Sequence, residues 1–164
     1  MFKQKINKII ELIWKIKTDI TVPLISEFLD WFYDNLYIHF SKSEPNHKYR
    51  KWEIYFVNLW KNIWSELNKI RPCIIYSWRR FNGWNTIIII PLKSYKWKIN
   101  NSINLFIKAT KENNLKLDSV VDLLSIRQVS KKRVRLKKWN LEYRHLKRID
   151  KYISKIFEIK KLEN

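Results

Sequence analysis

The residues of this sequence with the most evident chemistry are basic, and many of them fall in one segment near the C-terminus. That segment, KKRVRLKK at residues 131–138, contains Lys131, Lys132, Arg133, Arg135, Lys137 and Lys138. The basic residues Arg144, Lys147, Arg148 and Lys151 follow at spacings of three and four, which a helix places on one face. Phosphates along a nucleic acid bind such a series of cations and release counterions. Because few acidic residues lie nearby, the pattern favours phosphate contact over a merely solvated helix face.

A second basic cluster lies in the middle of the chain and is interleaved with tryptophan and tyrosine. Its cations are Arg79, Arg80, Lys93, Lys96 and Lys98. Exposed aromatic rings beside cations stack on unpaired bases, which is a common way to hold single-stranded RNA. For Trp84 and Trp97, stacking on bases and packing inside the protein are equally open, whereas Trp78 is expected to pack.

The charge of the whole chain supports a polyanionic partner. The 164 residues carry 34 Lys and Arg against 15 Asp and Glu, a formal net charge of +19. Residues 1–40 are neutral, so the remaining two-thirds carries the entire excess. A folded surface with this imbalance repels itself unless a polyanion neutralises it. Composition therefore predicts a nucleic acid as the partner and no small-molecule substrate.

Residues for catalysis or metal binding are not recognisable in the pattern. His39, His47 and His145 are scattered, and Cys73 is the only cysteine. One glycine in the whole chain cannot build the glycine-rich loops that cradle phosphates. We therefore expect no catalytic residue, no metal site and no cofactor, and we do not expect an enzyme.

The elements that must position these residues are predicted to be mainly helical. Apolar residues at helical spacing predict helices over residues 5–19 and 23–40, and a central third helix over residues 49–70. Asn82-Gly83, between CIIYSWRRF and WNTIIIIPL, predicts a β-hairpin with a type I′ turn, with Tyr76 opposite Ile89. Further helices are expected over residues 102–112, from Asp118 or Ser119, and over residues 140–160.

The predicted fold class is therefore α+β, mainly α-helical, in three regions. Residues 1–72 form a helical, aromatic-rich region whose N-terminal part is neutral, residues 73–98 form the hairpin with its basic flank, and residues 99–164 form a basic helical region. The sequence contains no apolar run near the ~20 residues that a membrane span needs, so no transmembrane segment is expected.

One short segment has a family resemblance. KLDSVVDLL at residues 116–124 and SKKRVR at residues 130–135 resemble the small RNA-binding module of the fourth small-subunit ribosomal protein family. The matching positions are Leu117, Asp118, Val120, Val121, Ser130 and Arg135. One extra residue between the two halves, a valine where a small residue is usual and the lack of a later glycine turn depart from that pattern. The resemblance implies binding of ribosomal RNA.

Composition suggests where such a protein would be encoded. Abundant Ile, Lys and Asn with a single Gly and a single Ala indicate an AT-rich genome, and nine Trp fit a mitochondrial code. An AT-rich bacterium, nucleus or virus is the alternative source. The sequence thus predicts a structural protein of a ribosome, bound in the mitochondrial matrix, that contacts rRNA and, through its N-terminal helices, neighbouring ribosomal proteins. The alternatives are an accessory subunit of a mitochondrial inner-membrane complex and a DNA-binding protein of an AT-rich genome.

Overall fold

The computed structural model describes residues 2–15, 21–41, 47–59, 69–95 and 104–158. The chain forms two compact units, Met1–Lys42 and Ser43–Asn164. The first contains helices α1 (Phe2–Lys15) and α2 (Thr21–Phe40), which confirms the first two predicted helices. Within the described ranges, no helix combines the length and apolarity that crossing a bilayer requires.

The second unit is built around an antiparallel sheet, in which seven strands fall within the described residues. The strands are β1 (Glu53–Asn58), β2 (Ile70–Ile75), β3 (Thr86–Ser94), β4 (Asn104–Ile107), β5 (Ser119–Asp122), β6 (Arg127–Ser130) and β7 (Val134–Asn140). Their order is β4-β5-β3-β2-β1-β7, and β6 pairs with the first half of β3. Helix α3 (Tyr143–Ile156) follows the last strand and confirms the predicted C-terminal helix.

The central strands of the sheet are buried on both faces, and their successive residues alternate between two cores. Ile74 and Ile90 belong to the core that also receives Ile149 and Ile153 from α3. Cys73, Ile75, Ile87 and Ile89 belong to the second core, together with Tyr49 and Tyr55. At about 25 cal/mol per Å² of buried apolar surface, these near-continuous apolar strands supply the main favourable term in folding.

The prediction of a mainly α-helical fold is wrong. Strand β1 occupies the middle of the helix predicted over residues 49–70, and β4 and β5 lie where two further helices were expected. A strand buried on both faces is apolar at successive positions, and such a run resembles a buried helix. The β-branched and aromatic residues of β1, such as Ile54 and Tyr55, are the side chains that favour a strand.

The predicted hairpin is correct in its pairing but wrong in its turn. Strands β2 and β3 are antiparallel neighbours, with Ile75 opposite Ile89, so the register differs by one residue from the predicted one. Instead of a two-residue turn, the connection contains a 3-10 helix at Arg79–Gly83, and Gly83 does not have a positive φ. The division into regions 1–72, 73–98 and 99–164 stays a prediction.

Candidate functional site

A cavity of about 340 Å³ opens beside the ends of β2 and β3. Strand β2 contributes Arg71 and strand β3 contributes Lys93 and Ser94, while the segment before β5 contributes Lys116. Apolar walls come from Phe56, Pro72, Leu92, Leu115 and Leu117. The described lining thus combines cations and hydroxyls with apolar walls and includes no acidic residue, which suits an anionic ligand.

The backbone around this cavity is unusual at two places. Lys69, which precedes β2, has φ 66°, and Asn114 has φ 42°, and both residues line the cavity. Non-glycine residues with positive φ cost free energy and concentrate at functional sites. Asparagine is one of the non-glycine residues found most often in this region, so the positive φ of Lys69 is the less common of the two.

Lys93 is oriented by a buried carboxylate. Its Nζ atom lies 2.8 Å from Oδ2 of Asp122 on β5, whose side chain is almost fully buried. Ser125 Oγ donates a short hydrogen bond to the same oxygen. The ion pair with Asp122 therefore fixes the orientation of the Lys93 side chain, which lines the cavity.

A second surface is formed by the loop of residues 77–85, called here the aromatic loop. Trp78, Phe81 and Trp84 are 60%, 56% and 78% exposed, so the expectation that Trp78 packs inside the protein is wrong. Arg79 and Arg80 are exposed in the same loop. The arrangement is a set of exposed rings with interleaved cations.

The aromatic loop is joined to the basic segment that follows β6. The backbone N–H of Lys131 donates to Asn85 O at 2.9 Å, and the buried Lys131 Nζ donates to Asn82 O at 2.5 Å. Lys132 and Arg133 continue the 3-10 helix that starts at Lys131. Burial, and to a lesser extent the positive charge of Arg127, lowers the pKa of Arg133. The structure thus brings the cations of the aromatic loop next to those of residues 131–133, which follow them in sequence by roughly 50 residues.

The other predicted RNA-binding cations lie elsewhere. Lys137 Nζ pairs with Glu53 at 2.6 Å, and Arg144 Nε pairs with Glu142 at 2.5 Å. Arg135, Lys147, Arg148 and Lys151 are exposed. The side chain of Lys138 and the residues Lys96, Trp97 and Lys98 lie outside the described part. RNA contact by all of these residues stays a prediction.

Sequence reasoning missed Arg71, Lys116 and Asp122. Arg71 follows the helix predicted over residues 49–70 directly and receives no role from the sequence, whereas in the structure it lies at the start of an apolar strand. Asp122 was assigned to a short helix, although it follows three buried strand residues. For Arg71 the available signal is structural: the apolar run CII, which follows Arg71 and Pro72 directly, indicates a strand that starts there.

Comparison with known proteins identifies the fold. Residues 50–157 match the family described as the PemK-like, MazF-like toxin of type II toxin-antitoxin system. The structure of MazF from Deinococcus radiodurans is 14% identical with a TM-score of 0.59, covering 70% of this chain and 100% of that one. The Mycobacterium tuberculosis toxin MazF-mt6 is 15% identical with a TM-score of 0.54, covering 66% and 98%. An endoribonuclease in complex with its cognate antitoxin, from a mycobacterial species, has 12% identity and a TM-score of 0.54, covering 68% and 97%. Among curated proteins, none matches this chain.

These matches overturn the functional predictions from composition. The match over residues 50–157 includes the segment that resembled the fourth small-subunit ribosomal protein, so that resemblance was misleading. The prediction of a ribosomal constituent with ribosomal partners is wrong, as are its alternatives of a membrane-complex subunit and a DNA-binding protein. The expectation that the chain is not an enzyme is also wrong, and the same match to the toxin family overturns it. The mitochondrial location stays a prediction. Residues 50–157 show that the chain belongs to the PemK-like, MazF-like toxin family of type II toxin-antitoxin systems.

Proposed function

We propose that this protein is a toxin that cleaves single-stranded RNA in the cavity beside the ends of β2 and β3. The observation that carries the proposal is the convergence of Arg71, Lys93 and Lys116 on one cavity within a fold shared with an endoribonuclease. A guanidinium binds two phosphate oxygens at once, and an ammonium adds a compact charge beside it. The cavity therefore fits a phosphodiester flanked by nucleosides that contact its apolar walls.

The chemistry is attack by the 2′-oxygen of RNA on the adjacent phosphorus. The bond from phosphorus to O2′ forms and the bond to O5′ breaks, which yields a 2′,3′-cyclic phosphate and a 5′-hydroxyl. Negative charge increases on the non-bridging oxygens in the transition state, where Arg71 and Lys116 stabilise it. The Lys93 ammonium, held by Asp122, gives a proton to the leaving O5′, and the 2′-hydroxyl proton passes to water.

The partner proposed for this toxin is a protein antitoxin, as in the mycobacterial complex of the same fold. Since the toxin carries a net charge of +19, we expect the antitoxin to present an acidic segment to it. Such a segment would compete with RNA for the cations of the cavity.

The proposal is tested by cleavage of a 5′-labelled, unstructured RNA strand under single-turnover conditions. Arg71→Ala and Lys93→Ala are each expected to lower the rate by about 10²–10³-fold, the usual cost of one charge-stabilising group. Lys155→Ala, which removes an exposed lysine on α3 that is not among the predicted RNA-binding residues, is the control and should cleave at the parental rate. A strand with 2′-deoxyribose at the scissile position should remain intact.

Two results would overturn the proposal. One is cleavage by Arg71→Ala at the parental rate, and the other is equal cleavage of the deoxy-substituted strand. Because Arg71 lies in a strand, Arg71→Lys is measured beside it as a variant that keeps a positive charge. Thermal unfolding of each variant shows whether a slow rate comes from lost chemistry or from a lost fold.

A further inference from the structure

We propose that the aromatic loop is a second RNA-binding surface, which holds unpaired bases by stacking while the basic 3-10 helix beside it binds their phosphates. This inference rests on the proposed ribonuclease function and deepens it, because it adds a surface outside the cavity that holds the same single-stranded substrate. Its residues are Trp78, Phe81 and Trp84 with Arg79, Arg80 and Lys132.

The first argument is that the rings are exposed on a rigid base. The side chain of Asn82 is buried and donates to Tyr49 O at 3.0 Å and to Ser77 O at 3.2 Å. The Lys131 ammonium donates to the backbone oxygen of Asn82 from the other side. These hydrogen bonds hold the loop in one conformation, in which its large apolar rings remain exposed. Exposed apolar patches of this kind mark interaction sites.

The second argument is that cations already hold the rings in place. The Lys51 Nζ atom lies 5.1 Å from the centroid of the Trp78 ring and 4.3 Å from those of Trp52 and Tyr76. The Arg80 guanidinium lies 4.7 Å from the Phe81 ring. These contacts orient Trp78 and Phe81 before a ligand arrives, so those two rings lose less conformational freedom on binding.

The third argument concerns charge, and it favours RNA over a protein partner. Residues 77–85 include two arginines and no acidic residue, and the joined segment at residues 131–133 adds Lys132 and Arg133 beside the buried Lys131. A single strand of RNA offers a phosphate for each cation and an aromatic face for each ring. Protein partners also use tryptophan and arginine at interfaces, so the experiment must separate the two.

The position of the loop sets it apart from the cavity. The loop precedes Thr86 at one end of β3, and the cavity residues Lys93 and Ser94 lie at the other end. Eight residue steps at about 3.3 Å each place the two sites about 26 Å apart along the strand. The loop therefore contacts parts of the substrate that do not react, and its binding energy should lower KM without changing kcat.

Binding is measured by fluorescence anisotropy of a fluorescein-labelled oligouridine strand, in full-length protein carrying Arg71→Ala to slow cleavage. Trp78→Ala and Trp84→Ala should each weaken the affinity by about 5- to 150-fold, the range for loss of one stacked base. The matched control is Trp14→Ala, which removes a tryptophan that is 75% exposed on α1 and should leave the affinity unchanged. Trp84→Phe keeps a stacking ring and should restore most of the affinity.

Two further readouts report on binding rather than on fold. Replacing Arg79 and Arg80 together by glutamine should reduce the slope of log K against log salt by about 1.4, since each phosphate contact on a single strand adds about 0.7. In the active chain, Trp78→Ala with Trp84→Ala should raise KM and leave kcat at the parental value. Loss of kcat without a change in KM would overturn the inference.

The failure of this inference is distinct from the failure of the proposed function. If the parental protein cleaves and binds RNA but the tryptophan variants bind with unchanged affinity, the inference is wrong and the loop serves another partner such as a protein. If the parental protein neither binds nor cleaves RNA, the proposed function fails and the inference fails with it.

Discussion

The buried amide of Asn82 provides the sharpest test of how the aromatic loop is held. The side chain makes three hydrogen bonds: Nδ2 donates to Tyr49 O and to Ser77 O, and Oδ1 accepts from Ser77 Oγ at 2.5 Å. Ser77 Oγ in turn accepts from the N–H of Ile88 on β3. Asn82→Ala removes all three bonds from an enclosed position, which water cannot readily refill.

The expected cost follows from these contacts. A net contribution of about 1 kcal/mol for each hydrogen bond gives about 3 kcal/mol, within a range of about 2–4 kcal/mol set by the buried oxygens left without a donor. With an m-value of about 2 kcal/mol/M in urea, the midpoint of unfolding should fall by about 1.5 M. The measurement is equilibrium urea unfolding followed by circular dichroism.

The matched control is Asn85→Ala, in the same loop. The Asn85 side chain is exposed, so its removal should shift the midpoint by less than about 0.3 M, as ordinary surface substitutions do. An Asn82→Ala midpoint equal to that of Asn85→Ala would refute the reasoning, since it would mean that the buried amide does not hold the loop.

Three further substitutions or treatments test separate parts of the structure. Gly83→Ala should stabilise the protein by about 0.4–1 kcal/mol in urea unfolding, because Gly83 has no positive φ. A variant that is less stable than the parent would contradict this and favour the positive φ of a type I′ turn. Burial lowers the pKa of His145 below its ordinary 6.5 despite the opposing pull of Glu142, so the unfolded state binds the proton more tightly. Stability should therefore fall as the pH drops below about 6.5, and a His145→Gln variant with the same pH dependence would contradict this. Burial also raises the pKa of the fully buried Cys73 thiol, so iodoacetamide should label it in urea and not in the native protein, as mass spectrometry would show.

The sequence predicts local features of this fold better than its sheet. Helices α1, α2 and α3 are recognisable because one face of each is apolar at helical spacing. The antiparallel pairing of β2 with β3 is recognisable because both are rich in β-branched residues and close together in the chain. The pairing of β1 with β7 is not predictable in this way, since Ile54 and its neighbour Trp139 are 85 residues apart and no local pattern links them.

The candidate site shows the same limit. The sequence indicates Lys93 as part of a basic flank, but the ion pair of Lys93 with Asp122 depends on the pairing of β3 with β5. Arg71 was overlooked because an isolated arginine before a proline gives no chemical signal of its own. Only the sheet brings these side chains to one cavity, so spacing along the chain could not reveal it.

Asn82 illustrates how a correct signal can have a different cause. Asn-Gly marks the connection between two strands, as expected, but the asparagine is present for its buried hydrogen bonds and not for a left-handed backbone. The same two residues therefore predict the right topology and the wrong register. A longer connection leaves room for Trp78, Phe81 and Trp84, which a two-residue turn would not expose together.

Strand β3 links the two surfaces proposed to bind RNA. It pairs with β2 and with both β5 and β6, and its residues Ile87, Ile89 and Ile90 are almost fully buried. An element packed on both faces does not bend readily, so the distance between the aromatic loop and the cavity is fixed by the fold. A rigid spacing of this kind favours a ligand that can extend along it, and an unpaired RNA strand can do so while a folded RNA helix cannot present separate bases to both sites. The fixed distance between the aromatic loop and the cavity therefore favours single-stranded substrates, whichever bases the two sites recognise.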